Sequence, residues 1–387
     1  MDFLLSNQLN CHYYDQAICR SCTQLSLDYP QQCQQKQASV EAILSQCSNE
    51  ISWLPLVTSS IAGFRNKAKM VVSGHWQAPI LGLLDRQFQA HDLVNCPLYP
   101  AELQATFEPI RSWIQQLKLM PYDVIKRQGE LKYVIVSIDE HTKALMCRFV
   151  LRSTQAIAKI QQYLPALMET LPNLDVVSVN IQPLPAAIVE GEQEILLTEK
   201  KVLTHWLNEL PLYCHPRSFF QTNSQVAAQL YAQAQAWIAD CQPSQLWDLF
   251  CGVGGFALHA AQIMQGKVTG IEINADAIES AQRSAHHLGL SDRLQFRALT
   301  ADDFAHTATD AAADCIIVNP PRRGIGAQLC QFLNHLTATQ LIYSSCNPES
   351  LAEDLKRLHQ FKPIQARVFD MFPHTQHAEV LVLLVRR

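Results

Sequence analysis

Residues 248–259 read DLFCGVGGFALH, and the fold follows from how this run is read. An apolar stretch ending in Leu246, Trp247, Asp248, Leu249 and Phe250 meets Gly252, Gly254 and Gly255. Phe256, Ala257, Leu258, Ala260 and Ala261 then open a helical pattern. Strand, glycine turn and helix in this order hold a nucleotide-like cofactor. The glycines let the backbone close on the ligand, and an acidic residue reads its polar groups.

Downstream, the strand KVTGIEI ends near Glu272, placed to accept hydrogen bonds from the ribose hydroxyls of a nucleoside. A helix is expected from Asp276 to Leu288. The strand RLQFRAL, the acidic turn ADDF with Asp302 and Asp303, and the strand CIIVN follow. Strands and helices alternating in this way predict an α/β, Rossmann-like, doubly wound parallel sheet with ligands along its carboxyl edge. Two cofactors compete for that edge. A dinucleotide would put pyrophosphate on a G-x-G-x-x-G turn, here with Ala257 in the third glycine place. Asp248 ahead of the turn would repel a pyrophosphate and suit a cation, which favours S-adenosylmethionine with its sulfonium and ammonium.

The next two strand ends name the chemistry. One carries NPPRRG, from Asn319 to Gly324; the other carries YSSCNP, with Cys346 before an Asn-Pro turn. A cysteine at a carboxyl-edge strand end is placed as an exposed nucleophile, whereas Cys315 and Cys330 belong to a strand and a helix and are expected to be buried. Cys251, inside the glycine loop, reads as a small residue lining the turn. Near the C-terminus, His374, His377 and Glu379 precede an apolar final strand, and a carboxylate there can serve as a base. Thiol, sulfonium and carboxylate together suit methylation of a pyrimidine at carbon 5, which is too weak a nucleophile by itself. Thiolate addition at carbon 6 activates it, and a base then removes the carbon 5 proton. Arg322 or Arg323 would lower the thiol pKa or hold a phosphate. An NPP motif alone would suit amino-group methylation, but such enzymes carry an aromatic residue where this chain has arginine and need no cysteine. A third reading is an iron–sulfur RNA-binding protein with an inert methyltransferase half.

The 387 residues leave room for two domains. With 48% hydrophobic and 17% charged residues the chain is neither disordered nor fibrous, and a net charge of −5 leaves room for only a local basic cleft. No apolar run is long enough to cross a bilayer, and the N-terminus lacks a signal-peptide pattern. A cytoplasmic protein, monomeric and with no membrane partner, is therefore expected. In a reducing compartment the 13 cysteines are not expected to form disulfides. Cys11, Cys19 and Cys22 stand as C-x7-C-x2-C, and Cys96 in NCPLYP is the best candidate for a fourth ligand. Iron–sulfur and zinc sites both remain open on spacing. Cys33 and Cys47 flank a helix-like stretch, residues 30–48, with no evident chemistry. Arg65, Lys67 and Lys69 in FRNKAKM alternate as on one strand face, and Lys126, Arg127 and Lys132 form a second basic group. Either would suit RNA phosphates; an ordinary solvated face is the plain alternative. The β-rich stretch from Leu131, including AAIVEG, predicts an α+β domain ending near Pro211. This divides the chain into residues 1–215 and 216–387. In SFFQTN, Asn223 resembles a helix N-cap, and Gln221 is placed to reach a cofactor.

Taken together, C-x7-C-x2-C with Cys96, FRNKAKM, SFFQTN, DLFCGVGG, GIEI, NPPRRG, YSSCNP and HAEVL resemble the ribosomal and transfer RNA uracil-C5 methyltransferases across nearly the whole chain. NPPRRG and a start about ten residues before the first cysteine resemble the subgroup without a TRAM domain that acts on 23S ribosomal RNA. The resemblance implies a [4Fe-4S] cluster on Cys11, Cys19, Cys22 and Cys96. It also implies S-adenosylmethionine bound by Gln221, Phe250, Glu272 and Asn319, with Cys346 as nucleophile and Glu379 as base. The family often has aspartate where this chain has Asn319; an amide keeps the hydrogen bonds without the charge. It further implies that residues 25–57 pack on the catalytic domain.

Overall fold

The computed structural model describes residues 8–185, 188–301, 303–304 and 313–387; Asp302, and Ala186 and Ala187 of AAIVEG, lie outside these. A helix, Tyr29–Leu44, precedes the first strand. The Asp28 carboxylate accepts the Gln31 N–H at 3.0 Å, and a proline occupies the first turn, where no N–H is needed. Strand β1 (Ser52–Val57) follows. Next come β2 (Lys67–His75), β3 (Ala78–Leu84), β4 (Ala90–Asp92), β5 (Leu131–Ile138), β6 (Leu145–Leu151), β7 (Leu174–Ile181) and β8 (Gln193–Leu196). They form one sheet in the order β4-β3-β2-β5-β6-β7-β8. Ala68, Met70 and Val72 of β2 point, with Val134, Val136 and Phe149, into a core shared with helices Phe107–Gln116 and Ile157–Thr170.

The opposite face mixes polar residues with a small apolar cluster of Met146, Val176 and Leu203, and here the basic groups divide. Lys67 and Lys69 do share a face, but Arg65 lies outside β2, bridged to Asn223. Lys69 is exposed, whereas Lys67 is half-buried beside Glu190 and Arg148. Arg148 itself is buried and grips Glu194 with two bonds from Nε, at 2.8 and 2.9 Å. Lys132 is no part of an open basic group: its ammonium donates to the Leu184 carbonyl at 2.6 Å and covers the Tyr122 ring.

A hairpin, β9 (Leu203–Leu207) and β10 (Leu210–Cys214), leads to the second sheet. Its strands are β11 (Gln245–Leu249), β12 (Lys267–Glu272), β13 (Leu294–Ala298), β14 (Cys315–Val318), β15 (Gln340–Ser345), β16 (Phe361–Phe369) and β17 (Glu379–Arg386). With β1 they run β13-β12-β11-β14-β15-β17-β16-β1. Pairing is parallel from β13 through β15; only β17 runs antiparallel to its neighbours β15 and β16. The order reverses between β11 and β14, which opens a crevice at their carboxyl ends. No helix among the described residues is long and apolar enough to cross a membrane.

The N-terminal segment adds to this sheet. β1 pairs in parallel with β16, and Val40 and Leu44 of the Tyr29–Leu44 helix join Leu351 and Leu355 in one apolar cluster. The β9–β10 hairpin likewise puts Leu207, Leu212 and Cys214 into the cluster containing Leu230 and Phe256. By packing, residues on both sides of the seven-stranded sheet in sequence go with the eight-stranded one. Leu44 is fully buried, so Leu44→Ala is expected to cost about 3 kcal/mol. Urea unfolding followed by fluorescence should show this as a lower midpoint.

Candidate active site

Local forces build the glycine turn. Phe250 and Gly252 both adopt the left-handed region, at φ 67° and 56°. A Cβ added at Gly252 would meet nothing within 4 Å, so the turn's backbone stands open toward the crevice. Glu272 at the end of β12 closes the turn: its carboxylate accepts the Gly252 N–H at 3.2 Å and the Asn274 N–H at 2.9 Å. Asn319, just beyond β14, donates its N–H to the Leu249 carbonyl.

Asp248 differs from its sequence reading. It is fully buried, one oxygen accepts the Ala257 N–H at 2.9 Å, and the other has no hydrogen-bond partner. Burial pushes its carboxyl up to about 8. Asp248 therefore braces the helix start, and its charge is not what selects a cationic ligand.

Gln221 is buried just ahead of helix Ser224–Cys241. Asn223 caps helix Ser224–Cys241 through the Val226 N–H and donates to Ser59. The buried Asn66 amide donates to the Gln221 carbonyl at 3.0 Å and to the Ser224 hydroxyl at 2.7 Å. The motifs FRNKAKM and SFFQTN are thus two sides of one joint.

Cys346 and Glu379, 33 residues apart in sequence, meet at the carboxyl end of β15. The antiparallel register pairs Ser345 with Val380, so β17 begins where β15 ends. Glu379 is almost fully buried, and Ser344 donates its hydroxyl to it at 2.5 Å. Burial holds the Glu379 carboxyl up at about 7. Cys346 is half-buried; burial and then the Glu379 charge push its thiol up, and Arg322 opposes both. Arg322 also donates to His377 Nδ1 at 3.1 Å, and its carbonyl accepts from the Asn347 amide at 2.9 Å. Arg323 is exposed. Cys315 and Cys330 are fully buried.

Asp354 was invisible to motif reading, because it sits mid-helix in an ordinary charged stretch. Its buried carboxylate accepts the Ile325 N–H and the Tyr343 hydroxyl, both at 2.7 Å. It thereby locks the NPPRRG loop to β15. Gly324, at φ 80°, is required there, since a Cβ would lie 2.2 Å from an Asp354 oxygen.

The loops that carry the N-terminal cysteines are tied together. The buried Tyr13 hydroxyl accepts the Asn95 N–H at 3.1 Å, tying the first cysteine loop to that of Cys96. Burial, then the charges of Cys96, Cys19 and Cys11, push the Cys22 thiol up to about 12. Cys96 rises to about 11, again chiefly by burial. All four sulfurs are therefore within electrostatic reach. Among the described residues, no three or more His, Cys, Asp or Glu stand close enough to hold a single metal ion.

Replacing Asp354 with alanine would leave the Ile325 N–H and Tyr343 hydroxyl buried without partners, at about 1–3 kcal/mol each. Asp354→Ala is expected to melt earlier than wild type and to expose the 320–326 backbone, read by limited proteolysis.

Residues 210–387 match the family profile described as tRNA (uracil-5-)-methyltransferase. A 23S rRNA (uracil(747)-C(5))-methyltransferase from Halothiobacillus neapolitanus is 50% identical over 380 residues, covering 98% of this chain and all of the relative. One from Pectobacterium atrosepticum is 46% identical over 98% of this chain and all of the relative. The crystal structure of a Pyrococcus abyssi tRNA (uracil-54, C5)-methyltransferase with S-adenosyl-L-homocysteine superposes with a TM-score of 0.76 at 25% identity, covering 94% of this chain and 85% of that one. Its likeness makes the eight-stranded sheet that of a methyltransferase of the S-adenosylmethionine-dependent α/β class. Identity of 46–50% along nearly the whole of this chain and of its relatives places it in the RNA uracil-C5 methyltransferase family.

Proposed function

We propose that this chain methylates carbon 5 of a uracil in 23S ribosomal RNA, at the position 747 that its relatives' names give. The observation that carries the reading is the meeting of Cys346 with the buried Glu379 beside the cofactor crevice. Bound S-adenosylmethionine supplies the methyl group as an electrophile. Gln221, Phe250, Glu272 and Asn319 would bind it, and Glu272 keeps lone pairs for the ribose hydroxyls while closing the turn.

The protein's own part has three steps. The Cys346 thiolate adds to carbon 6, moving electron density onto carbon 5, which takes the methyl group. Arg322 favours the thiolate against burial and the Glu379 charge. The Glu379 carboxylate then removes the carbon 5 proton; the carbon 5–carbon 6 double bond re-forms and Cys346 leaves with the electrons of its bond. Arg65 and Lys69, both exposed beside the joint with SFFQTN, and the exposed Lys126 and Arg127 are cations that can meet RNA phosphates. Cys11, Cys19, Cys22 and Cys96 would hold a [4Fe-4S] cluster; the bond that ties the first cysteine loop to that of Cys96 supports it, and no step of the methylation needs its electrons.

RNA carrying 5-fluorouracil should trap a covalent complex, because fluorine replaces the proton that Glu379 must remove. Cys346→Ala trapping as well as wild type would overturn the mechanism. If Cys346→Ala also methylates ordinary RNA at the wild-type rate, the amino-group chemistry associated with NPP takes its place.

Glu379 must be ionised to act and sits at about 7, so release of the methylated adduct should slow about tenfold per pH unit below that value. Rapid-quench measurement of adduct decay between about pH 5.5 and 8 reads this directly. A flat profile would remove Glu379 from the role.

A further inference from the structure

The loop Asp370–Ala378 leads directly into Glu379, yet much of its bonding comes from the far end of the sequence. Gln32, on the Tyr29–Leu44 helix, accepts the His374 N–H at 2.9 Å with its side-chain oxygen. Its amide nitrogen lies 3.0 Å from the Leu27 carbonyl and 3.3 Å from His374 Nδ1. His374 Nε2 lies 2.7 Å from the Ile61 carbonyl, which can only accept. This fixes the proton on Nε2 and leaves Nδ1 to receive the Gln32 amide. The His374 carbonyl in turn accepts the Gln24 N–H at 2.9 Å, two residues after Cys22. One turn along the helix, the buried Lys36 ammonium holds Asp370 at 2.5 Å and the Phe372 carbonyl at 2.9 Å.

His374 needs this support. It is buried and sits at φ 65°, a conformation uncommon outside glycine and costly unless its surroundings impose it. The bend at His374 sets the path to His377, which meets Arg322, and then to Glu379.

We infer that Gln32 and His374 are positioning residues through which the N-terminal segment, including the loop that carries Cys22, sets the catalytic base loop. The inference rests on Glu379 being the base. It predicts a specific lesion: loosening the clamp slows proton removal and leaves binding and thiol attack in place.

Gln32→Ala is the test, with His374→Gly as a second variant that removes the imidazole yet tolerates the backbone angle. In the full chain, amide exchange of residues 370–378 should rise about tenfold or more while β11 and β12 keep their protection. Ordinary uracil RNA should then accumulate a covalent, methylated adduct on a denaturing gel, as Glu379→Gln should, with adduct decay slowed about tenfold. His374→Gln, whose longer side chain carries its amide nitrogen to the place of Nε2 and keeps a donor for Ile61, should recover part of the rate. Unchanged exchange in residues 370–378 overturns the inference, as does slow turnover without adduct. If Glu379→Gln gives no adduct, the base assignment itself falls and takes the inference with it. An adduct in Glu379→Gln but not in Gln32→Ala or His374→Gly overturns the positioning role alone.

Discussion

One antiparallel strand among parallel ones governs this protein's active site. Parallel strands present their last residues at the carboxyl edge, so a residue at the start of a strand ordinarily lies at the opposite, remote edge. β17 runs the other way between β15 and β16, and its first residue, Glu379, lands at the edge where β15 delivers Cys346. The pairing also encloses Glu379, which is buried between β15 and β16. Burial gives the proposed base two properties: a carboxyl poised near neutrality, and a fixed bond to Ser344.

Around that pairing the polar groups act as braces for loops. Asp354 ties NPPRRG to β15, Asn347 ties Arg322 to the cysteine turn, Asp248 pins the helix after the glycine loop, and Asn66 joins the two sheets' neighbouring segments. Each bond is modest by itself, yet each buried group would cost more if left without a partner. The site is rigid for the same reason that it is intolerant.

The N-terminal segment was the least legible part. Residues 30–48 read as a helix without chemistry. The helix is there, but Gln32 and Lys36 turn inward to His374 and Asp370, more than 330 residues away in sequence. A polar side chain facing a distant loop has the same local pattern as one facing water. The basic residues failed similarly: alternation put Lys67 and Lys69 on one face, and only the tertiary structure half-buries the first beside Glu190 and Arg148 while leaving the second exposed.

What the sequence by itself determined is whatever depends on near neighbours in the chain: the glycine turn after β11, the Asn223 cap, the alternation of strands and helices, and the thiol before an Asn-Pro turn. These rest on backbone angles and hydrogen bonds that close within a few residues. The tertiary structure alone decided which strand reverses, that Asp248 is buried and Glu379 enclosed, and that the base loop hangs on a helix from the opposite end of the chain. Those outcomes depend on pairings between remote segments and on the burial they create, and neither burial nor pairing partner is written in a local pattern.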